Sequence, residues 1–236
     1  MSHRKEQKEE LRRQREQREA AERAARRRKR LVGIGVAVAM AVGALIVIVM
    51  AASGGSSGGG GIFPEGGSVP EQKELDLETA ASAAGCELET AKGDGVGGHT
   101  TDLSEKVDYP DNPPTSGRHY EVPGQDGVYG DRGEIPQDEV LVHNLEHGRV
   151  VIWAKPSLRK EWRSGLRAMI DKEDFQTVLV PRANMPFAVA ATAWNRDPLP
   201  GGTGRTLSCD AFNPRVYDAL QAFRDEHRSN GPEPVD

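Results

Sequence analysis

One uncharged stretch, residues 31–52, constrains this chain more than any other feature. It reads LVGIGVAVAMAVGALIVIVMAA. At a rise of about 1.5 Å per residue, a helix of this length crosses a hydrocarbon core of about 30 Å. A cleaved signal peptide has a shorter apolar core and a small-residue cleavage motif, whereas here 30 residues of basic leader precede a long apolar run. We therefore predict an uncleaved signal-anchor, a single transmembrane helix.

Charge sets the expected orientation of this anchor. Residues 1–30 carry 13 Lys and Arg against six Glu, which leaves 18 basic and 30 acidic residues for the rest of the chain. The basic run Arg26–Arg30 directly precedes the apolar stretch, so the positive-inside rule places the N-terminus in the cytoplasm. The same run would attract anionic lipid, at roughly 1 kcal/mol per residue. We interpret residues 1–30 as a basic cytoplasmic arm and expect no nucleic-acid partner.

The composition after the anchor predicts three further parts. Residues 53–70 are rich in Gly, Ser and Pro and are expected to form a flexible linker. Residues 71–228 would form an extracytoplasmic domain, and residues 229–236 a disordered tail. Such a compartment permits disulfides, so Cys86 and Cys209 are predicted to pair, the alternative being two separate buried thiols.

The pattern of apolar and turn-forming residues in this domain predicts an α+β fold. It would have a small central sheet with flanking helices and a loop-rich N-terminal half, and it would follow the transmembrane helix. The predicted helices are residues 72–84, residues 156–170 and a helix that begins at Asn213-Pro214, and the predicted strands are residues 149–154, 175–180 and 187–194.

Four histidines are the candidate functional residues of this domain. His143 and His147 are four apart, which places both rings on one face of either a helix or a strand. His119 follows a Pro-rich loop that would hold it at a fixed point, and His99 follows a Gly-rich loop. Neutral imidazole binds zinc and copper readily. We predict a metal site of His119, His143 and His147, with His99 or an acidic residue as the fourth ligand.

The segment around His143 also matches the inverted zincin pattern His-x-x-Glu-His. In that pattern two imidazoles hold zinc, and the glutamate, here Glu146, acts as general base on the metal-bound water. The pattern needs a helix, but Gly148 and a strand follow His147 at once, so a short turn at a sheet edge is favoured. The P-loop motif of nucleotide-binding proteins, G-x-x-x-x-G-K-[ST], is absent.

Two further residues bear on the identity of the ion. Met185 lies in a loop between two predicted strands, and a thioether near imidazoles favours copper over zinc because soft ligands select Cu(I). Alternatively, Met185 only fills a gap in the core. The histidines could also form a structural hydrogen-bond network in which Glu146 pairs with Arg149 or Arg118.

Three motifs of the chain resemble an uncharacterised bacterial family, domain of unknown function 3105. They are YPDNPPTSGRHY, LVHNLEHGRVVIW and PRANMPFAVAATAW, and the resemblance covers roughly residues 71–228. The family pattern includes the histidine at 99, the NPPTSG-x-His motif at 112–119 and the His-x-Leu-Glu-His-Gly motif at 143–148; Arg118 stands where proline is commoner. The resemblance implies an N-terminal membrane anchor but no activity.

The sequence therefore favours a membrane-anchored extracytoplasmic domain that binds a transition metal, copper before zinc. A zinc-dependent hydrolase with Glu146 as its base and an interaction module of the cell envelope without metal are the alternatives. Whether the protein is an enzyme stays open at this stage.

Overall fold

The buried strand Val150–Ala154 (β5) lies inside a six-stranded mixed sheet. The structure, a computed structural model, describes residues 61–130 and 135–233. In order across the sheet, the strands are Glu87–Lys92 (β1), Thr203–Cys209 (β8), Val189–Asn195 (β7), β5, Thr177–Pro181 (β6) and Gly127–Val128 (β4). Two short strands, His99–Thr100 (β2) and His119–Tyr120 (β3), form a separate parallel pair. The described helices are Leu77–Ala84 (α1), Asp138–Glu146 (α2), Lys160–Lys172 (α3) and Val216–His227 (α4).

The central connections explain the direction of the strands. β5 and β6 are parallel and are joined through α3, whereas β7 pairs with β5 in the antiparallel direction, with Val151 opposite Thr192. A parallel pair needs a long crossover, and a helix usually supplies it. This mixed α+β architecture confirms the predicted fold class for the described residues.

Alternate residues of β5 point into two different hydrophobic clusters. Val150 and Ile152 face the larger cluster, which α1, α3 and α4 cover. Val151 and Trp153 face the smaller cluster, which contains Leu145 of α2. Side chains of a strand alternate between its faces, so a central strand that is apolar throughout can serve both clusters. The histidine cluster described below lies with α2 on the second face.

Most of the predicted helices and strands are confirmed, with shifted ends. The first helix begins at Leu77 rather than Gln72, because the side chain of Asp76 accepts a hydrogen bond from the backbone N–H of Thr79 and so caps the helix. β1 and β8 were not predicted. The sequence of β1, ELETAK, is polar because the strand lies at the exposed edge of the sheet, and β8 mixes polar and apolar residues. Neither strand therefore carries an apolar run like those that predict β5, β6 and β7.

Two predicted boundaries need correction. Phe63 is fully buried in the larger cluster, and the guanidinium of Arg163 donates to the carbonyl of Ile62, so the domain begins before residue 71. The predicted tail is held in place as far as Glu233, whose N–H donates to the carbonyl of Glu146 at 3.0 Å, so the prediction of disorder is wrong for residues 229–233.

The predicted arm, the predicted membrane anchor and the linker up to residue 60 lie outside the described residues. Within residues 61–130 and 135–233, no helix is long and apolar enough to cross a membrane.

The predicted disulfide between Cys86 and Cys209 is present. It joins residues 123 positions apart and connects the start of β1 to the end of β8. In the chain-entropy description, a cross-link over a loop of this length stabilises the fold by about 4–5 kcal/mol. The bond therefore fixes the edge of the sheet that has no helical crossover to hold it.

Buried His227 near the end of α4 predicts a loss of stability in mild acid. Burial lowers its pKa to about 4, and the charge of Arg205 acts in the same direction, whereas Glu226 lies 3.9 Å from its ring. Between the unfolded pKa of about 6.5 and the folded value, only the unfolded chain binds this proton, so stability is present above pH 6.5 and is lost as the pH falls. We expect the unfolding free energy of the unmodified protein to fall by up to about 3 kcal/mol more than that of His227→Gln over this range. Urea denaturation at several pH values measures both changes. Equal changes in the unfolding free energy of the two proteins over this pH range would contradict the expectation.

Candidate metal centre

The pair of short strands brings two of the predicted histidines together. β2 and β3 are parallel, and His99 lies directly opposite His119 in their register. Residues opposite each other on paired strands project to the same side, and the two ring centroids are 4.8 Å apart. These histidines are 20 positions apart in the sequence, so their proximity depends on this pairing.

The Pro-rich loop before β3 fixes the orientation of His119. The side chain of Asn112 donates to the carbonyl of Asn184 and accepts from Arg182, which ties the loop to the segment between β6 and β7. Gly117 has a φ of +130°, a backbone conformation that favours glycine, and its carbonyl accepts a hydrogen bond from Nδ1 of His119 at 2.7 Å. The loop therefore supplies both the position of the ring and the acceptor that orients it.

Helix α2 supplies the third histidine and a carboxylate. His143 and Glu146 are three apart on the last turn and therefore lie on one face of the helix. The predicted short turn is wrong: nine residues are helical, because Leu141 and Leu145 bury against the sheet while the polar residues face the other way. Gly148, with a φ of +80°, ends the helix immediately after His147.

The carboxylate of Glu146 joins these elements. It is fully buried, and its Oε2 lies 2.8 Å from Nε2 of His119 and 3.1 Å from Nε2 of His99. Its Oε1 accepts the backbone N–H of Gly97 at 2.6 Å. His119 is also fully buried, whereas the ring of His99 is 32% exposed and forms the solvent side of the cluster.

Three of the four rings are oriented in the same way. Nδ1 of His119 donates to Gly117, Nδ1 of His143 donates to the carbonyl of Tyr120 at 2.6 Å, and Nδ1 of His147 donates to the carbonyl of Glu233 at 2.6 Å. A carbonyl can only accept, so each Nδ1 carries the proton, and a neutral ring then has a lone pair at Nε2. This arrangement is typical of histidines that bind a metal through Nε2.

These lone pairs converge on one another and on a carboxylate. Nε2 of His143 lies 2.7 Å from Nε2 of His147, and Nε2 of His119 lies 2.8 Å from Glu146. Two lone pairs at such a distance repel unless a cation lies between them. Either a proton or a metal ion can be this cation.

The pKa values favour the protonation states that bind metal. Burial lowers the pKa of His143 to about 4, and the neighbouring imidazoles act in the same direction. Burial alone would raise the pKa of Glu146, but the hydrogen bonds from His119 and Gly97 outweigh it and bring the pKa down to about 2. Near neutral pH the cluster therefore offers a neutral imidazole at His143 and an ionised carboxylate, which are the forms that coordinate metals.

The distances allow one ion to be shared. One ligand atom from each of His99, His119, His143 and Glu146 lies within 4.8 Å of the others. Around an ion with ligand bonds near 2.1 Å, such atoms are about 3.4 Å apart in a tetrahedron and about 4.2 Å apart when opposite. A modest inward movement of the rings would therefore suffice.

The predicted ligands lie in different places relative to this group of four residues. His119 and His143 belong to this group of four, and so does His99, the predicted fourth ligand. His147 stands beside the group, with its ring centroid 4.5 Å from that of His143. Met185 is buried in the smaller hydrophobic cluster, as a gap-filling residue would be, and this placement offers no support for a thioether ligand.

The sequence does not predict the central place of Glu146 in the site. The sequence predicts a hydrolase base or the partner of an arginine at this position, yet Arg149 pairs with Asp126 at 2.5 Å and Arg118 with Glu105 at 2.6 Å. Both oxygens of Glu146 are already engaged by the site, which is the environment of a ligand more than of a free base. The signal in the sequence was its spacing of three from His143 on a helix.

Together these features define an α+β domain with a buried group of three histidines and one glutamate. The chain belongs to the family described as Protein of unknown function (DUF3105), whose model matches residues 100–236, and the resemblance to this family is confirmed for those residues. His119, His143 and Glu146 lie within the matched range, and His99 immediately precedes it. No curated protein and no solved structure matches the chain. The family description names no activity, so the functional argument rests on the geometry of the site.

Substitutions at the two histidines that contact Glu146 should differ in their effect on stability. His119→Ala would remove the fully buried imidazole that contacts the fully buried carboxylate of Glu146, and it is expected to lower the unfolding free energy by about 3–5 kcal/mol. His99→Ala removes a partly exposed partner of the same carboxylate and is expected to cost about 1 kcal/mol or less. Urea denaturation in the presence of a chelator measures both values, and equal losses would contradict this description of the site.

Proposed function

We propose that this protein is a membrane-anchored, extracytoplasmic domain that binds one divalent transition-metal ion. His99, His119, His143 and Glu146 are the proposed ligands. The observation that carries the proposal is the shared orientation of the imidazoles. Backbone carbonyls hold Nδ1 of His119 and His143, so that Nε2 of His119 faces the buried carboxylate of Glu146 and Nε2 of His143 faces that of His147.

The donor set favours certain ions. Three imidazoles and a carboxylate suit zinc, copper(II), nickel and iron(II), and copper(II) binds more tightly than zinc at a given nitrogen and oxygen site. We therefore keep the order of copper before zinc, for affinity measured in solution. The reason is this general order of affinities, since Met185 is buried in an apolar cluster.

Binding, delivery or sensing of the ion fits this site better than hydrolysis. A hydrolase needs a carboxylate that can accept a proton from metal-bound water. Glu146 instead accepts the N–H of Gly97 through one oxygen and contacts two imidazoles through the other. Its proposed role is therefore that of a ligand.

Titration of the purified protein with Zn²⁺ and Cu²⁺ tests the proposal. The unmodified protein is expected to bind one equivalent of either ion, and a free concentration 100 times the dissociation constant is expected to raise its stability by about 2.7 kcal/mol. His143→Ala and Glu146→Gln are expected to weaken binding by about 100-fold or more, because each removes a ligand. The matched control is His227→Gln, which changes a buried histidine on α4 that is not among the proposed ligands.

Each outcome of the titration has a definite meaning. If neither ion binds stoichiometrically and neither changes the thermal midpoint, the cluster is a proton-linked structural network and the proposal is wrong. If Glu146→Gln keeps full affinity while His143→Ala loses it, Glu146 is not a ligand and the hydrolase alternative gains support.

The proposed location is supported by the sequence and by the disulfide. Residues 31–52 are apolar and uncharged, Arg26–Arg30 precede them, and the Cys86–Cys209 bond suits an oxidising compartment. Alkaline phosphatase, which is active only after export, reports the topology in a bacterial host. Fusion after Asp236 is expected to give activity and fusion after Arg30 none; the reverse pattern would show that the proposed orientation is wrong.

A further inference from the structure

The last described residues of the chain pass directly over the end of the metal-site helix. We call residues 229–233 the C-terminal strap. Its first N–H, from Ser229, donates to the carbonyl of Gly148 at 2.8 Å, and its last, from Glu233, donates to the carbonyl of Glu146 at 3.0 Å. In return, Nδ1 of His147 donates to the carbonyl of Glu233 at 2.6 Å. The strap therefore contacts two adjacent residues of the site through backbone groups alone.

Glycines on both sides make this close crossing possible. A Cβ at Gly231 would overlap both the carbonyl oxygen of Glu146 and the backbone nitrogen of Gly148. A Cβ at Gly148 would in turn lie 2.9 Å from the nitrogen of Gly231. The atoms in the way are backbone atoms, which cannot move aside as a flexible side chain can. Any larger residue at position 231 must therefore displace the strap.

The strap is also tied to elements that do not belong to the site. The hydroxyl of Ser229 donates to the side chain of Gln176 at 2.5 Å, and the carbonyl of Asn230 accepts the N–H of Arg196 at 2.8 Å. The side chain of Asn230 donates to the carbonyl of Glu226 in α4 at 2.9 Å. These anchors fix the path of the strap, and with it the position of the Glu233 carbonyl.

His147 has the features of a ligand whose orientation the strap supplies. Its Nε2 lies 2.7 Å from Nε2 of His143, and its Nδ1 is held by a carbonyl in the same way as Nδ1 of His119 and His143. Two ligands at a right angle on an ion with bonds near 2.1 Å are about 3.0 Å apart, so both rings can reach the same ion after a small adjustment.

We infer that His147 is a fifth ligand of the metal and that the C-terminal strap positions it. The inference rests on the proposed metal site and adds to it a control on ion exchange. While the Glu233 carbonyl holds Nδ1, the lone pair of His147 faces the site; when the strap is displaced, the ring can rotate away. The outer partner of a histidine ligand commonly changes metal affinity by 10- to 100-fold, so displacement of the strap should weaken binding and accelerate release.

The test compares two glycine substitutions in the full chain, purified in detergent and loaded with Zn²⁺. Gly231→Ala displaces the strap. Gly67→Ala is the matched control, because its Cβ would overlap the carbonyl oxygen of Ser164 on α3 equally closely, on the other face of the sheet. Zinc affinity and the rate of zinc transfer to a chromophoric chelator are measured for both. Gly231→Ala is expected to weaken binding by about 10- to 100-fold and to accelerate transfer, and Gly67→Ala to leave both unchanged.

His147→Ala completes the test, and it decides the matter alone if Gly231→Ala does not fold. It is expected to weaken zinc binding at least as much as Gly231→Ala, and the double variant to bind no more weakly than His147→Ala, because both changes remove the same ligand. If His147→Ala binds zinc as tightly as the unmodified protein while His143→Ala does not, the fifth ligand is overturned and the proposed metal site stands. If the unmodified protein binds no zinc, both are overturned.

Discussion

The buried carboxylate of Glu146 links the parts of this site that are far apart in the sequence. Its two oxygens contact the Gly97 N–H and the rings of His99 and His119, which arrive from two different loops, while Glu146 itself ends α2. An ionised carboxylate that is removed from water needs charged or hydrogen-bonding partners on every side. The two short strands, the Pro-rich loop and the helix must therefore be assembled together, or the carboxylate is left without compensation.

Backbone carbonyls complete this arrangement by orienting the rings. Tyr120, which follows His119 in β3, accepts the Nδ1 hydrogen bond of His143, so one two-residue strand both supplies a ring and orients another. Because carbonyls accept and never donate, the tautomer of each bound ring is decided by the fold. One ligand atom from each of His99, His119, His143 and Glu146 lies within 4.8 Å of the others, which accounts for the likeness to a metal centre. The carbonyl of Glu233, in the C-terminal strap, orients the ring of His147 in the same way.

Much of the fold could be predicted from the sequence, and the features that could not be predicted share one cause. The apolar runs of β5, β6 and β7 and the disulfide were predicted correctly, because each depends on local composition or on only two cysteines. The role of Glu146, the pairing of His99 with His119 and the ordered strap depend on contacts between distant segments. A strand of two residues is too short to show a periodic pattern in the sequence. The sequence around Gly231 is typical of a flexible tail, and only the structure shows its close contact with Gly148. The sequence predicts a turn around His143 because Gly148 and an apolar strand follow so closely, whereas the segment is helical.

X-ray absorption at the zinc edge of the zinc-loaded protein tests the central claim most directly, since it reports the atoms bound to the ion. We predict a shell of nitrogen and oxygen atoms near 2.0–2.1 Å, with the multiple scattering of at least three imidazoles and no sulfur. A sulfur atom in the shell would implicate Met185 and contradict the ligand set described here. A shell with one imidazole or none would place the ion elsewhere and leave the histidine cluster as a structural network.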